Sequence, residues 1–467
     1  MQLVAYGVQD IYLTGNPQIT FFKVVYRRHT NFSMESIKQV FDGNAAFGGT
    51  VTATISRNGD LVHRIYLEHD AKFIGTREVN YKIGVVSNYG SNLMKKMEIE
   101  IGGQLIDRHY GHYHAAYNEL TKFNPTGYHT TLYNRMSGNG IGHSTGSERF
   151  GSPGEHRTLA ASAGWQTVDA ASELLPKMEG KFWIPLLFWF CRNPGLALPL
   201  IALQYHEVKI KIEFEKIGDI MADGGHPGWD HGSTTLAGDS NNDNGSTFDL
   251  WCDYIYLDTD ERRRFAQVSH EYLIEQVQHT SINKTGAFTK KLHFNHPIKE
   301  LIWKNQLHPL FSPAGILYDA DPNDFHGHAQ HHSPDSVQYL RAPFSLSGEF
   351  QLKLNGHDRF SERDYRYFTR TQVWQHHTGY GGFIGQDQDG ESGRGNESRD
   401  TIAVYSFALK PEEHQPSGTC NFSRIDNAEL IRSGTGLSLL HGGINVYAIN
   451  YNVLRIMSGM GGLAYSN

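Results

Sequence analysis

Apolar and polar side chains alternate along most of this chain in short runs that end at Gly, Asn, Asp or Pro. That is the period of strands buried on one face. In the first half, Ser33–Phe41, Thr50–Ser56, Leu61–Leu67, Leu93–Ile101, Phe182–Phe190, Leu196–Leu203, His206–Glu215 and Leu250–Leu257 predict strands, with a hairpin-type turn at Asn58-Gly59-Asp60. Arg108–Lys122 is the best helical candidate, and Phe123–Gly180 reads as loop. In the second half, Tyr272–Gln278, Lys291–Phe294, Ile298–Asn305, Phe350–Leu354, Ile402–Leu409, Cys420–Ser423, Ala428–Ile431 and Ile444–Arg455 predict strands. Polar inserts interrupt the pattern at Gly218–Ser246, Gln306–Gly348 and Thr371–Asp400. No βαβ alternation emerges. The expected fold class is all-β: two tandem eight-stranded antiparallel jelly rolls with short helices in loops.

Internal repetition supports the tandem reading. Ile99-x-Ile101-x-Gly103 before Asp107-Arg108 recurs as Leu352-x-Leu354-x-Gly356 before Asp358-Arg359. Phe182-x-Ile184-x-Leu186, Gly195 and Val208 recur at one offset as Tyr405-x-Phe407-x-Leu409, Gly418 and Ile431. Arg27-Arg28, Glu35 and Ile37–Val40 recur as Arg263-Arg264, Glu271 and Ile274–Val277. Asp258, Asp260 and Arg263 fall at one offset on Asn450, Asn452 and Arg455. The joint therefore belongs near Thr259–His270.

Composition narrows the function. With 467 residues there is length for two or three domains, and 49 glycines with 12% aromatics suit β-rich domains with many turns. The net charge is −7 and no basic tail or stripe exists, so the electrostatic footprint of a nucleic-acid binder is missing. Three scattered cysteines, Cys191, Cys252 and Cys420, form neither a disulfide framework nor a zinc motif and fit a reducing compartment. The N-terminus lacks the pattern of a signal peptide. The most apolar stretch, Phe182–Leu203, carries Arg192 and three prolines, which suits buried strands better than a membrane span.

No motif carries catalysis. Gly142-His143-Ser144-Thr145-Gly146 has nucleophile-elbow spacing but sits in a Gly/Ser-rich run instead of between strand and helix. Asp319-x-Asp321-x-Asn323 lacks the Gly and Glu of a calcium loop. The 26 histidines cluster at His109/His112/His114, at His326/His328/His331/His332 and at His376-His377. The His-x-His of the second cluster lacks the Glu that a cupin metal site needs, so it reads as surface loop. Hence no catalytic, cofactor or metal residue is expected. Asn244, Asn283 and Asn396 are weak candidate glycosylation acceptors; Asn31 and Asn421 also match the pattern.

Several long segments carry a family resemblance: TGNPQITFFKVVYRRHTNF (Thr14–Phe32), IGGQLID (Ile101–Asp107), NPGLALPLIALQYHEV (Asn193–Val208), HEYLIEQ (His270–Gln276), QPSGTCNFSRIDNA (Gln415–Ala428) and NYNVLRIMSGMGGLAY (Asn450–Tyr465). Together they resemble the major capsid proteins of large nucleocytoplasmic DNA viruses, most of all the chlorella-virus (phycodnavirus) type. The resemblance implies a double jelly roll and a homotrimer with a pseudo-hexagonal outline. It implies neighbouring capsomers in an icosahedral shell, minor capsid proteins on the inner side, and glycans or a host surface on the outer side. No direct nucleic-acid contact is implied, and the place is the virion, after assembly in the host cytoplasm. The expected domains are an N-terminal arm (1–25), a first roll (26–258), a linker (259–269) and a second roll (270–467). A lectin-like carbohydrate-binding jelly roll is the alternative from another class.

Overall fold

The computed structural model describes residues 8–18, 22, 24, 26–74, 83–85, 88–122, 132–139, 143–145, 166–168, 177–223, 243–284, 286–305, 346–379, 381, 400–434 and 443–465. Sixteen of its strands build two equal sets. The first set is β1 (Phe32–Gln39), β2 (Thr50–Thr54), β3 (Leu61–Ile74), β4 (Met94–Ile101), β5 (Gln104–Tyr110), β6 (Lys177–Pro185), β7 (Val208–Phe214) and β8 (Thr247–Leu257). The second is β9 (His270–Ile282), β10 (Phe288–Lys291), β11 (Pro297–Asn305), β12 (Glu349–Leu354), β13 (His357–Asp364), β14 (Ile402–Ser406), β15 (Ala428–Ser433) and β16 (Ile444–Met457).

Within the first set one sheet runs β1-β8-β3-β6 and the other β2-β7-β4-β5. The second set repeats both orders, as β9-β16-β11-β14 and β10-β15-β12-β13, and all these pairings are antiparallel. Each set is thus an eight-stranded jelly roll, with its apolar alternation turned inward. Val51, Ile65, Leu67, Met97, Ile99, Phe182, Ile210 and Leu250 fill the first core. Phe288, Leu301, Trp303, Phe350, Leu352 and Leu430 fill the second.

The strand count agrees with the sequence pattern, but the roster differs in the same way in both rolls. β5 and β13 were not expected as strands. The helical candidate Arg108–Lys122 begins as the end of β5, and only Gly111–Thr121 is helix (α1). Leu196–Leu203, expected as a strand, is two 3-10 turns around the two-residue strand Leu198–Pro199, because Pro194 and Pro199 withdraw amide donors. Cys420–Ser423 likewise shrinks to a two-residue strand and a turn. Phe182–Phe190 starts earlier, at Lys177, inside the expected loop, and its far end becomes the helical turn Trp189–Arg192. The strand expected over Lys291–Phe294 lies at Phe288–Lys291.

The repeat can be checked residue by residue. Ile99–Ile101 lies in β4 and Leu352–Leu354 in β12, at the same place in equivalent sheets. Both lead into a two-residue turn with positive φ at each position, Gly102-Gly103 and Asn355-Gly356. Val208 pairs with Ile101 and Ala428 with Leu354, so Val208 corresponds to Ala428 and not to Ile431. The match of Asp258 and Asp260 to Asn450 and Asn452 fails: Asp258 caps a helix, whereas both asparagines lie inside β16. That helix, α2 (Thr259–Gln267), joins the rolls. The Asp258 carboxylate accepts from the Glu261 amide at 3.0 Å, Arg262 pairs with Asp60 at 2.8 Å, and Phe265 packs against an apolar cluster containing Leu61, Ala197 and Ile255.

Candidate assembly surfaces

Three surfaces bear on function: the seam between the rolls, the apolar end with its arm, and the end from which the inserts leave. The seam starts at β5, the edge strand of its sheet. The Gln276 side chain donates to the Ile106 carbonyl, and the Val277 amide donates to Asp107 Oδ1 at 3.1 Å. Directly after β5 the chain turns into α1, whose Tyr113, Ala116, Tyr117 and Leu120 cover the outer face of the second roll's sheet at Ile302, Ile402, Val404, Tyr447 and Ile449. As a result β16 is buried at every residue from Ile444 to Asn452 and β11 at every residue from Ile298 to Lys304.

A charged cluster is enclosed in this seam. Glu275 receives Arg192 of the first roll at 2.7 Å and Lys299 at 2.8 Å. Arg192 also donates to the Tyr117 hydroxyl at 2.8 Å, and Lys299 to the Pro411 carbonyl at 2.6 Å. Burial alone would raise the Glu275 carboxyl, but Arg192 and Lys299 outweigh it and hold it below the usual carboxylate range. Beside it, His377 lies between Glu412, at 3.0 Å, and Glu300, at 3.1 Å without hydrogen-bond alignment. Burial pushes this imidazole down, yet the two carboxylates more than offset it and raise its pKa to about 9. Further along, His109 stands 2.9 Å from Asp107 and 3.0 Å from His114, while His112 bonds the Tyr447 hydroxyl across the seam. Burial, with Lys304 and His279 nearby, keeps His112 well below the usual imidazole range.

The sequence assigned these histidines no role. His109, His112, His114 and His377 form clusters in the sequence that look like the loop clusters, but they are interior groups of the seam. For His112 and His114 the signal was their neighbourhood of Tyr, Ala and Leu. His326, His328, His331 and His332 lie outside the described residues, as do Asp319 and Asp321. His143–Thr145 is a short strand, and Gly142 and Gly146 lie outside the described residues. Of the glycosylation candidates, Asn244 and Asn283 are exposed, as are Asn31 and Asn421; Asn396 lies outside the described residues. Among the described residues no cluster of His, Cys, Asp and Glu is arranged to hold a metal.

At one end of the molecule apolar side chains stand in solvent. Tyr205, Met457, Met460 and Tyr465 are exposed there, and Phe32, where the arm enters β1, pairs with Leu257 at the same end. Val8, Ile11, Tyr12, Phe22 and Val24 in the arm, and Tyr26 just after it, are 68 to 100% exposed. At the opposite end, β8 begins opposite the far part of β3, and β16 begins opposite the last residue of β11. The inserts Gly218–Ser246 and Gln306–Gly348 are therefore rooted together at that end.

Comparison with known proteins joins this geometry to a family. Residues 20–258 match the model for the major capsid protein N-terminus, and residues 261–462 match the large eukaryotic DNA virus major capsid protein. The chain belongs to the major capsid proteins of large eukaryotic DNA viruses. It is 46% identical to the major capsid protein of Pyramimonas orientalis virus, over 100% of this chain and 99% of that one. To the major capsid protein of Paramecium bursaria Chlorella virus 1 it is 38% identical at the same coverage. Among solved structures, the PBCV-1 capsid, in a quasi-atomic model, matches with a TM-score of 0.68 and 34% identity over 96% of this chain and 100% of that one. The Faustovirus major capsid protein shares the fold at a TM-score of 0.58 and 13% identity, covering 97% of this chain and 94% of that one. This capsid protein is thus a structural component of a virion shell, and the double jelly roll is its building block.

Proposed function

We propose that the chain forms homotrimeric capsomers with a pseudo-hexagonal outline that tile an icosahedral shell, assembled in the host cytoplasm. The observation that carries this reading is the seam. It locks two rolls of the same topology into one body, so each chain offers two similar corners and three chains offer six. A block with six similar corners packs nearly hexagonally over a flat facet. In this reading residues 26–258 and 270–467 are the two corner domains, 259–269 the joint and 1–25 the arm.

The ends divide the remaining partners. The exposed arm and the apolar end around Tyr205, Met457 and Met460 suit docking on the inner side, against shell neighbours and minor capsid proteins, since such area is worth ~25 cal/mol per Å² when covered. The insert end suits the outer side, where polar loops keep their backbone solvated. Asn244, Asn283 and Asn396 are the acceptors offered to any glycan, and a host surface would be met there. The chain makes no direct contact with nucleic acid. Electron microscopy tests the whole reading: purified protein should give pseudo-hexagonal classes of three chains, and assembled particles should show the insert end outward. Monomers in the first case, or the insert end facing inward in the second, would refute it.

A further inference from the structure

Side chains facing outward from the second roll's sheet meet α1 in rows. His279 of β9 stands opposite Tyr447 of β16, and Tyr447 opposite Ile302 of β11. One row nearer the insert end, Asn445 stands opposite Lys304. His112 of α1 comes down on this corner. It bonds the Tyr447 hydroxyl, and its ring centre lies 5.2 Å from that of His279 and 5.2 Å from that of Tyr110, parallel to the latter within 5°. Tyr110, at the end of β5, is also 4.8 Å from the His279 ring, and His279 donates to Asn445 Oδ1 at 3.0 Å. His112, His279 and Tyr110 are half-buried, so a proton reaches them without unfolding. Lys304 is buried, just before Gln306 opens an insert.

Among the described residues, the charge that faces this histidine pair is positive. Lys304 supplies it from β11. The other titratable groups are imidazoles and phenols: His114 and Tyr113 on α1, Tyr110 on β5 and Tyr447 on β16. Neither ring pairs with a carboxylate among the described residues. The carboxylates of the seam are engaged by other cations, Asp107 by His109, Glu275 by Arg192 and Lys299, and Glu300 and Glu412 by His377. Burial pushes both imidazoles down. Lys304 adds to this at His112, and the Asn445 bond opposes it only in part at His279. The seam therefore has two unlike ends. Where β11 starts, at Lys299 and Glu300, cations and carboxylates are matched. Where β11 ends, each proton taken up adds positive charge beside Lys304, in surroundings that hydrate it poorly.

We propose that the seam is an acid-sensitive joint: when His112 and His279 take up protons, α1 lifts from β9 and β16 at the insert end, while the Arg192–Glu275–Lys299 end keeps the two rolls attached. The sign follows from linkage. Imidazoles held neutral by the fold are protonated in the opened chain from about pH 6.5 downward, so the contact weakens as pH falls below that value. His377 responds in the opposite sense, since its carboxylates favour the protonated ring. The device belongs to the single chain and stands whether or not trimers form.

Hydrogen exchange of the full-length protein, read by mass spectrometry at about pH 7.5 and about pH 5.5 and corrected for the intrinsic pH dependence of exchange, tests it. Peptides over Gly111–Thr121 and Ile444–Asn450 should exchange roughly fivefold faster or more in acid, while β4 of the first core stays protected. His112→Phe combined with His279→Gln removes both titrating rings, keeps a ring against Tyr110 and a donor for Asn445, and should hold the seam closed in acid. Circular dichroism checks its fold. Should the pair misfold, either single substitution should still reduce the acid response. A wild-type seam that stays protected overturns the proposal. So does a seam lost together with β4, or acid opening that is unchanged in the substituted chains.

Discussion

At the scale of single residues, His377 shows how the seam ties stability to pH. Its pKa is raised from an unfolded value near 6.5 to about 9 by Glu300 and Glu412. A raised basic group stabilises the fold fully below its unfolded pKa, and that contribution is lost as pH rises through the folded one. The unfolding free energy should therefore fall between about pH 6.5 and 9 by roughly 3 kcal/mol from this group alone. His377→Gln should remove that slope and cost a similar amount at pH 6, because the buried Glu300 and half-buried Glu412 carboxylates lose their cation. Urea unfolding at stepped pH measures both, and a variant that keeps the wild-type slope would clear His377 of the role. None of this was legible beforehand. Sequence shows that His376 and His377 are adjacent, but Glu300 and Glu412 reach the site from a distant strand and a turn.

Elements were legible to the extent that they bury one face. β2 and β7 alternate cleanly, β8 does so up to its bulge at Cys252–Tyr254, and all three, with β4, fall where the pattern puts them. β5 and β13 did not stand out, since β13 is exposed at every position but Phe360 and in β5 the run Asp107, Arg108 and His109 breaks the apolar–polar alternation. The helix at the joint was not foreseen, because Asp258 resembled a strand position by spacing while acting as a helix cap. Asp258→Ala should cost about 1 kcal/mol, the usual value of such a cap. Thermal unfolding would register it, whereas Asp260→Ala, two residues on within the first turn and without the capping bond, should cost less. Equal losses at the two positions would argue against the capping role.

For the whole molecule, family resemblance and internal repetition converge. The duplication was visible as a spaced motif, and the sheet orders repeat strand for strand. The asymmetry between the rolls was invisible in the sequence, because only the packed chain shows which outer face is already occupied. That asymmetry leaves the outer face of the second roll's sheet covered by the first roll's helix, whereas the equivalent face of the first roll carries only the joining helix at one end among the described residues.

The burial of β11 and β16 on both faces also sets an order in time. A chain leaves the ribosome N-terminus first, and domains generally fold in that order. The first roll can assemble most of its core from its own residues while the second is still being made, with Ile274, Leu454 and Ile456 joining later. The second has no such freedom, since without α1 it would hold Ile302, Ile402, Val404, Tyr447 and Ile449 in water, a contiguous apolar patch of the kind that drives aggregation. The leading half of the chain is then a template on which the trailing half finishes folding. Residues 259–467 expressed alone should collect in the insoluble fraction and become soluble when residues 1–258 are supplied alongside. A freely soluble, cooperatively unfolding second roll would mean that its sheet needs no template.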